Sequence, residues 1–192
     1  MVMLIKEGLK LMHKLNLKGE IDMTQKIAII ATDGYEDLEL HYPRIRLHEA
    51  GYDTDLIGIE ERVIKGKHGY PIKTDLSIKD AKADDYEGLV LPGGAENPDH
   101  LRRHEEVLDF VRKINNEKKL IAFICHAGWV PISAGILDGK RATSYFAIKD
   151  DMVNAGVEFE DKSVVVDGNL ISSRSPADLP DFMRALLSFL EK

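Results

Sequence analysis

The chain has 192 residues, of which 44% are hydrophobic, and its 33 acidic and 26 basic side chains give a formal net charge of −7. This length is enough for one well-buried domain and short for two. The acidic balance argues against nucleic acids and anionic membranes as partners, because both require a concentrated basic surface. The single cysteine, Cys125, cannot form an internal disulfide, so we expect a reducing, cytoplasmic compartment.

The N-terminal segment 1–22 has no apolar run longer than about four residues, far short of the ~7–15 residues of a signal peptide core. Its apolar residues recur at helical spacing, which is compatible with a short amphipathic helix docked on the body or on a partner subunit. Alternatively, Met23 is the ancestral start and the segment is an extension. We take 23–192 as the folded domain.

From Lys26 onward, short apolar segments alternate with longer segments of helical periodicity. In chain order the pattern predicts a strand over 26–32, a helix over 35–51, a strand over 52–60, a hairpin about 66–69, a strand over 87–94, a helix over 97–117, a strand over 118–125, a short strand and helix within 142–156, a hairpin about 167–169 and a closing helix over 175–192. This alternation favours a single α/β domain with a mostly parallel sheet and helices on both faces.

Three polar or glycine-rich loops follow predicted strands, namely "TDGYED", "PGGAENPD" and "CHAG". In open parallel sheets the reactive groups gather at the carboxyl ends of the strands. We therefore expect these three loops to meet on one rim of the sheet.

Cys125 stands where a predicted strand passes directly into a helix-like segment. A thiol there lies close to unpaired helix N–H groups, which stabilise a thiolate, and the small residues Ala127 and Gly128 permit a sharp turn. A lone cysteine is more often a buried spectator, but this context favours a nucleophile.

Other groups on the rim have two interpretations each. The backbone N–H groups of Gly93 and Gly94 are candidates for an oxyanion hole, although glycine pairs are common in turns. His126 is a candidate base, although a residue adjacent to a nucleophile often points away from it. Glu36 is either a charge at a helix N-terminus or, if it faces Cys125, a partly protonated donor to the thiolate.

Several spaced motifs resemble the PfpI intracellular protease family of the DJ/PfpI superfamily. They are "TDGYEDLEL", "GKHGYPIKTD", "LVLPGG", "ICHAG", "ISAGIL", "TSYFAIKDDMVNAGV" and "VVVDGNLISSRSPADLP", and they span about 26–190. The resemblance implies a flavodoxin-like, doubly wound α/β fold and a nucleophile at Cys125, with His126 as its base and Glu36 as the carboxyl at the thiol. It also implies a homo-oligomer, a dimer or hexamer, in which Asp99 of a neighbouring subunit completes the site, and a pocket lined by Tyr145.

The chain departs from the family pattern at two places. The family's common elbow reads Cys-His-Gly-Pro, whereas Ala127 and Gly128 follow His126 here. The segment "YFAIKDD" replaces a more usual Tyr-Pro-Gly. Both changes are expected to reshape the pocket and so to affect substrate choice.

Related classes are disfavoured by the sequence. Glutamine amidotransferases of similar fold take their base from a His-x-Glu motif far downstream, but all seven histidines here lie at or before position 126. Scattered histidines without ligand spacing and the lack of a Walker-type loop predict neither a metal nor another cofactor.

We predict a PfpI-type cysteine enzyme, with peptide hydrolysis as the leading function and two alternatives. The leading function is that of a PfpI-like cysteine hydrolase that acts on peptides through an acyl-enzyme. The first alternative is a glutathione-independent glyoxalase or protein deglycase that acts on methylglyoxal or glycated side chains through the same thiol. The second alternative is a non-enzymatic stress chaperone or redox sensor that works by oxidation of Cys125.

Overall fold

The computed structural model describes residues 25–192, in which strands and helices alternate as the sequence predicts. The strands are β1 (Lys26–Ile30), β2 (Asp53–Gly58), β3 (Val63–Lys65), β4 (Pro71–Lys73), β5 (Leu76–Ser77), β6 (Gly88–Leu91), β7 (Leu120–Ile124), β8 (Arg141–Ala142), β9 (Glu158–Phe159), β10 (Val164–Asp167) and β11 (Leu170–Ser173). The helices are α1 (Asp37–Glu49), α2 (Glu96–Leu101), α3 (Glu105–Asn116), α4 (Trp129–Ser133), α5 (Lys149–Asn154) and α6 (Leu179–Leu190).

The central sheet has seven strands in the order β10-β11-β7-β6-β1-β2-β5. All neighbours in it are parallel except β10 and β11, which form an antiparallel hairpin at one edge. The predicted α/β fold with a mostly parallel sheet is confirmed. The two predicted hairpins also form, as β3 with β4 and as β10 with β11.

Successive side chains of the central strands enter two different cores, because a strand points its residues alternately to opposite faces. Ile27 and Ile29 pack on the side of α1 and α6, whereas Ala28 and Ile30 pack on the side of α3. Strand β7 is buried along its whole length, which its sequence LIAFI requires. Since both faces are covered, the functional groups are left to the loops at the strand ends.

The single helix predicted over 97–117 is instead two helices, α2 and α3, and this prediction was wrong. His104 adopts an extended conformation (φ −105°, ψ 112°) between them. In one continuous helix the buried Leu101 and Val107 would lie about 120° apart around the axis, and so on different sides of the helix. The break at 102–104 lets each helix bury its own apolar side.

The predicted N-terminal segment 1–22 and the domain start at Met23 lie outside the described residues. Within 25–192, no helix is long and apolar enough to cross a membrane.

Candidate active site

A cleft of about 650 Å³ opens at the carboxyl ends of β1, β6 and β7. The three loops that the sequence places on one rim all contribute to its wall. The loop after β1 supplies Asp33, Gly34 and Glu36, the loop after β6 supplies Gly94, Ala95 and Glu96, and the turn after β7 supplies Cys125 and His126. The side chains of Glu39, Lys67 and Tyr145 also line the cleft.

Cys125 is the first residue after β7 and has φ = +63°, in the left-handed region that non-glycine residues rarely adopt. Only Lys118 shares such a positive φ among the non-glycine residues described. The thiol lies at the floor of the cleft, with 8% of the residue exposed. A buried cysteine held in a strained elbow has the backbone geometry of a nucleophile elbow.

Two backbone N–H groups hydrogen-bond to the Cys125 thiol, those of His126 and Gly94, and both lower its pKa. Gly94 has φ = +80°, and a Cβ atom there would lie 2.1 Å from the carbonyl oxygen of Gly34. A Cβ at Gly93 would lie 2.7 Å from the Cβ of Cys125. The loop after β6 must therefore carry glycines to bring its amides to the sulfur, as an oxyanion hole requires.

The carboxyl that interacts with the thiol belongs to Glu39, and not to Glu36 as the sequence analysis predicted. Glu39 is fully buried, and its Oε2 accepts a hydrogen bond of 2.8 Å from the backbone N–H of Gly93. Its Oε1 has no hydrogen-bond partner among residues 25–192. The correction follows from the start of α1 at Asp37, which turns Glu39 inward with Leu40, Pro43 and Leu47.

Burial raises the pKa of Glu39 to about 8, although the hydrogen bond from Gly93 partly opposes the shift. Glu39 is consequently protonated at neutral pH and can donate a hydrogen bond from its otherwise unpartnered oxygen. Burial and the nearby Glu39 charge raise the pKa of the Cys125 thiol to about 12. Because the repulsive charge is present only when Glu39 ionises, the two groups titrate as a coupled pair.

Glu36 lies at the wall of the same cleft and pairs with the tip of the β3–β4 hairpin. Its Oε2 is 3.4 Å from Nζ of Lys67, and its Oε1 is 3.9 Å from Nδ1 of His68. Glu36, Asp37 and His68 form one group of potential metal ligands among residues 25–192, with ligand atoms within 4.8 Å of one another. The Lys67 ammonium already supplies a cation there, so this group is an ion-pair network that anchors the hairpin to the cleft.

His126 places its Nδ1 3.3 Å from the Cys125 sulfur, so the ring does not point away from the thiol. The imidazole is packed between Tyr145, at a centroid distance of 5.0 Å, and Trp129, at 5.3 Å. Burial lowers the pKa of His126, and the charge of Lys67 lowers it further. The imidazole is therefore neutral at pH 7 and able to accept a proton.

Asp99 and Ala127 occupy very different positions. Asp99 lies on α2 with 55% of its side chain exposed, and its nearest ionic partner is Arg103 at 3.6 Å. No carboxylate within residues 25–192 hydrogen-bonds to His126. Ala127 is fully buried in the turn after Cys125. The roles predicted for Asp99, Tyr145 and the other site residues stay predictions.

A cysteine at a strained strand-to-helix turn above a doubly wound sheet defines a class of α/β proteins with an elbow thiol. Residues 25–189 match the model of the DJ-1/PfpI family, and the chain belongs to this family. The resemblance that the motifs carry is thereby confirmed.

Relatives of known name cover most of the chain. A protein of Pyrococcus furiosus named Deglycase PfpI is 45% identical over 166 residues, which are 86% of this chain and 99% of that protein. YraA of Bacillus subtilis, named as a candidate cysteine protease, is 39% identical over 88% of this chain and all of its own length. The crystal structure of Drosophila melanogaster DJ-1beta superposes with a TM-score of 0.81 at 31% identity and covers 85% of this chain and 89% of that one.

Proposed function

We propose that the protein is a cysteine-dependent, glutathione-independent glyoxalase or deglycase that acts on methylglyoxal or on glycated side chains. The observation that carries this proposal is that two groups able to transfer protons near neutral pH flank one thiol. Glu39, whose pKa is raised to about 8, interacts with the sulfur, and the neutral imidazole of His126 lies 3.3 Å from it. Conversion of a 2-oxoaldehyde to a hydroxy acid requires two proton transfers of this kind.

The reaction begins when the sulfur of Cys125 adds to the aldehyde carbon while His126 accepts the thiol proton. The proton leaves as the new bond forms, because the raised pKa of the thiol and the lowered pKa of His126 disfavour a separate thiolate. The resulting oxyanion lies near the N–H groups of Gly94 and His126, and protonation gives a hemithioacetal. Removal of the proton on that carbon gives an enediol, and protonation of the neighbouring carbon gives a thioester. Water then cleaves the thioester to lactate and the free thiol, so the oxidised and reduced carbons belong to the same substrate and no external electron acceptor is needed.

In a glycated side chain the same thiol adds to the carbon that carries the amino or guanidino nitrogen, the C–N bond breaks, and the nitrogen takes up a proton and leaves, which gives the same hemithioacetal. The same proton shift and hydrolysis then release a hydroxy acid, and the side chain is left unmodified. The name of the Pyrococcus furiosus relative supports this proposal.

Peptide hydrolysis is the second candidate, and the contact between Sγ and Nδ1 favours it. A cysteine peptidase uses a histidine to activate the thiol and to protonate the leaving amine. The name of the Bacillus subtilis relative agrees with this candidate. Peptide hydrolysis does not by itself explain why a protonated carboxyl is buried against the sulfur.

The decisive experiment measures lactate formed from methylglyoxal, with no glutathione, by the wild-type protein and by Cys125→Ser. We expect lactate from the wild type and none from the variant, because serine lacks the nucleophilic thiolate. Lactate from both proteins, or from neither, would contradict the proposal. Fluorogenic peptides assayed with the same two proteins decide whether hydrolysis depends on Cys125.

We also propose that the site is completed in a cytoplasmic homo-oligomer by Asp99 of a second copy. This fits the exposed carboxylate of Asp99 and the lack of a hydrogen-bonded carboxylate at His126 within residues 25–192. Asp99→Ala is expected to lower activity about tenfold without dissociating the oligomer. Glu106→Ala, which removes another exposed carboxylate, is the control. Full activity of an isolated monomer would refute this part of the proposal.

A further inference from the structure

Trp129 is the only tryptophan of the chain, and its ring contacts the imidazole of His126 edge to face. It stands three positions after His126, beyond the two small residues of the elbow. A Cβ at Gly128 would lie 2.8 Å from the sulfur of Met152, so no larger residue fits there without rearrangement. The elbow sequence of this chain therefore leaves Trp129 as the first large side chain that can reach the histidine.

The indole itself is fixed from two sides. Its Nε1–H donates a hydrogen bond of 2.7 Å to Oδ2 of Asp151 on α5. The guanidinium of Arg102 lies 5.7 Å from the ring centroid, and its Nε donates a hydrogen bond of 2.9 Å to Ser133 on α4. The indole ring thus has contacts with Asp151 and Arg102 that do not depend on the imidazole.

His126 has few other constraints within the described chain. Its one hydrogen-bonding contact among residues 25–192 is the thiol on which it would act, so its orientation must come from packing. The packing partners are Trp129 and Tyr145, whose rings meet the imidazole at interplanar angles of 64° and 32°. A histidine held by two rings keeps Nδ1 directed at the sulfur even before a substrate arrives.

We propose that Trp129, anchored by Asp151, is a positioning residue that holds His126 in its reactive orientation. Trp129 acts through the imidazole and does not contact the reacting atoms. The proposal rests on the proposed function only in taking His126 as the group that acts on the thiol.

The first test uses the lone tryptophan as its reporter and needs no turnover. Protonation of a contacting imidazole quenches indole fluorescence, so the emission of the wild-type protein should fall as pH decreases through the titration of His126. His126→Gln should abolish this step. The charged groups that face the two rings are Asp151, Arg102 and Lys67. Any change of emission with pH that remains in His126→Gln comes from these groups, Asp151 among them, and not from the imidazole. A fall in emission that is as large in His126→Gln as in the wild type would overturn the proposed contact.

The second test separates positioning from a merely structural role. Asp151→Ala should lower kcat for methylglyoxal about tenfold with KM changed less than about twofold, and should shrink the fluorescence step. Asp151→Asn keeps an oxygen acceptor for the indole N–H and should restore both readouts. Asp150→Ala, at the exposed neighbouring carboxylate, is the matched control and should resemble the wild type.

Two outcomes would overturn the proposal: wild-type kinetics and fluorescence in Asp151→Ala, or equal losses in Asp151→Ala and Asp151→Asn. If the wild type forms no lactate, the proposed function fails on its own. The rate of Cys125 alkylation by iodoacetamide then replaces kcat, and the proposal is judged by that rate and by fluorescence. Because Asp151 is exposed, its variants are expected to unfold at the wild-type temperature.

Discussion

The interior of the sheet and the rim at its carboxyl ends are built from the same strands but follow opposite rules. Inside, β7 buries five apolar residues and each face of the sheet is covered by helices. On the rim, the next residue of the same chain, Cys125, has a strained φ of +63°, and a fully buried carboxyl, Glu39, has one oxygen without a partner. The interior is arranged for stability, whereas the rim retains features that cost stability.

This difference indicates where function lies. Strain at a non-glycine residue and a buried carboxyl each cost free energy, and they persist only where the surrounding structure compensates. Substitutions in the two regions should consequently separate stability from activity.

The largest expected effect on stability comes from the interior. Phe182, on α6, is fully buried, and Phe182→Ala should lower the free energy of unfolding by about 3–5 kcal/mol because it removes apolar contacts and leaves a cavity. Urea unfolding measures this loss, and kcat per folded molecule should be unchanged. Phe146→Ala, at a side chain that is 76% exposed, is the control for stability. A loss below about 1 kcal/mol in Phe182→Ala would contradict the division between the two regions.

The rim should show the reverse pattern. Glu39→Gln keeps an oxygen for the N–H of Gly93 but cannot transfer a proton, so activity should fall about 100-fold or more.

The stability of Glu39→Gln relative to the wild type should depend on pH. Since the pKa of Glu39 is about 8 in the folded state and near 4.5 as a model value, the wild type binds this proton more tightly when folded. The contribution of Glu39 to the stability of the wild type is therefore lost as pH rises from about 4.5 to about 8, and the variant has no such contribution to lose.

Urea unfolding of both proteins at pH 4 and pH 8 measures this difference. We expect the free energy of unfolding of the variant, relative to that of the wild type, to be higher at pH 8 than at pH 4. Glu106→Gln, at an exposed carboxyl of α3, should keep wild-type activity. It should change the free energy of unfolding by no more than about 0.5 kcal/mol. An equal stability difference at the two pH values would mean that Glu39 is not buried as a neutral acid.

The sequence predicts the interior better than the rim. Hydrophobic periodicity locates the strands, and their alternation with helices is sufficient for a mostly parallel sheet and for three loops on one edge. The helix over 97–117 is mispredicted because periodicity does not reveal the change of buried face between Leu101 and Val107.

The identity of the carboxyl at the thiol depends on the exact first residue of α1. A helix that begins at Asp37 turns Glu39 toward the sheet, but element boundaries cannot be read from sequence to one residue. The signal that could have found Glu39 is its spacing from Leu40, Pro43 and Leu47, which form the buried side of α1. The positive φ of Cys125 and the contact between Trp129 and His126 arise from tertiary packing and leave no local pattern.

The smallest predicted effect concerns Lys67, at the tip of the hairpin beside the cleft. Burial raises the pKa of Glu39 and lowers that of His126; the Lys67 charge lowers both values, so it opposes the first shift and adds to the second. Lys67→Met should therefore raise both pKa values and move both limbs of the pH profile for lactate formation toward higher pH. Because 60% of the Lys67 side chain is exposed, solvent screens its charge, and the displacement should be below about 0.5 pH units.

Salt provides an independent check on that displacement. Raising the ionic strength screens Lys67 in the wild type, so the wild-type profile should approach that of Lys67→Met, whose own profile should move less. Lys79→Met, at an exposed lysine outside the cleft, should leave the profile unchanged. Limbs that stay in place in Lys67→Met would mean that the Lys67 charge does not act on either group. The rim would then owe its proton chemistry to burial alone, since the two groups that flank the thiol would keep their pKa values without the hairpin cation.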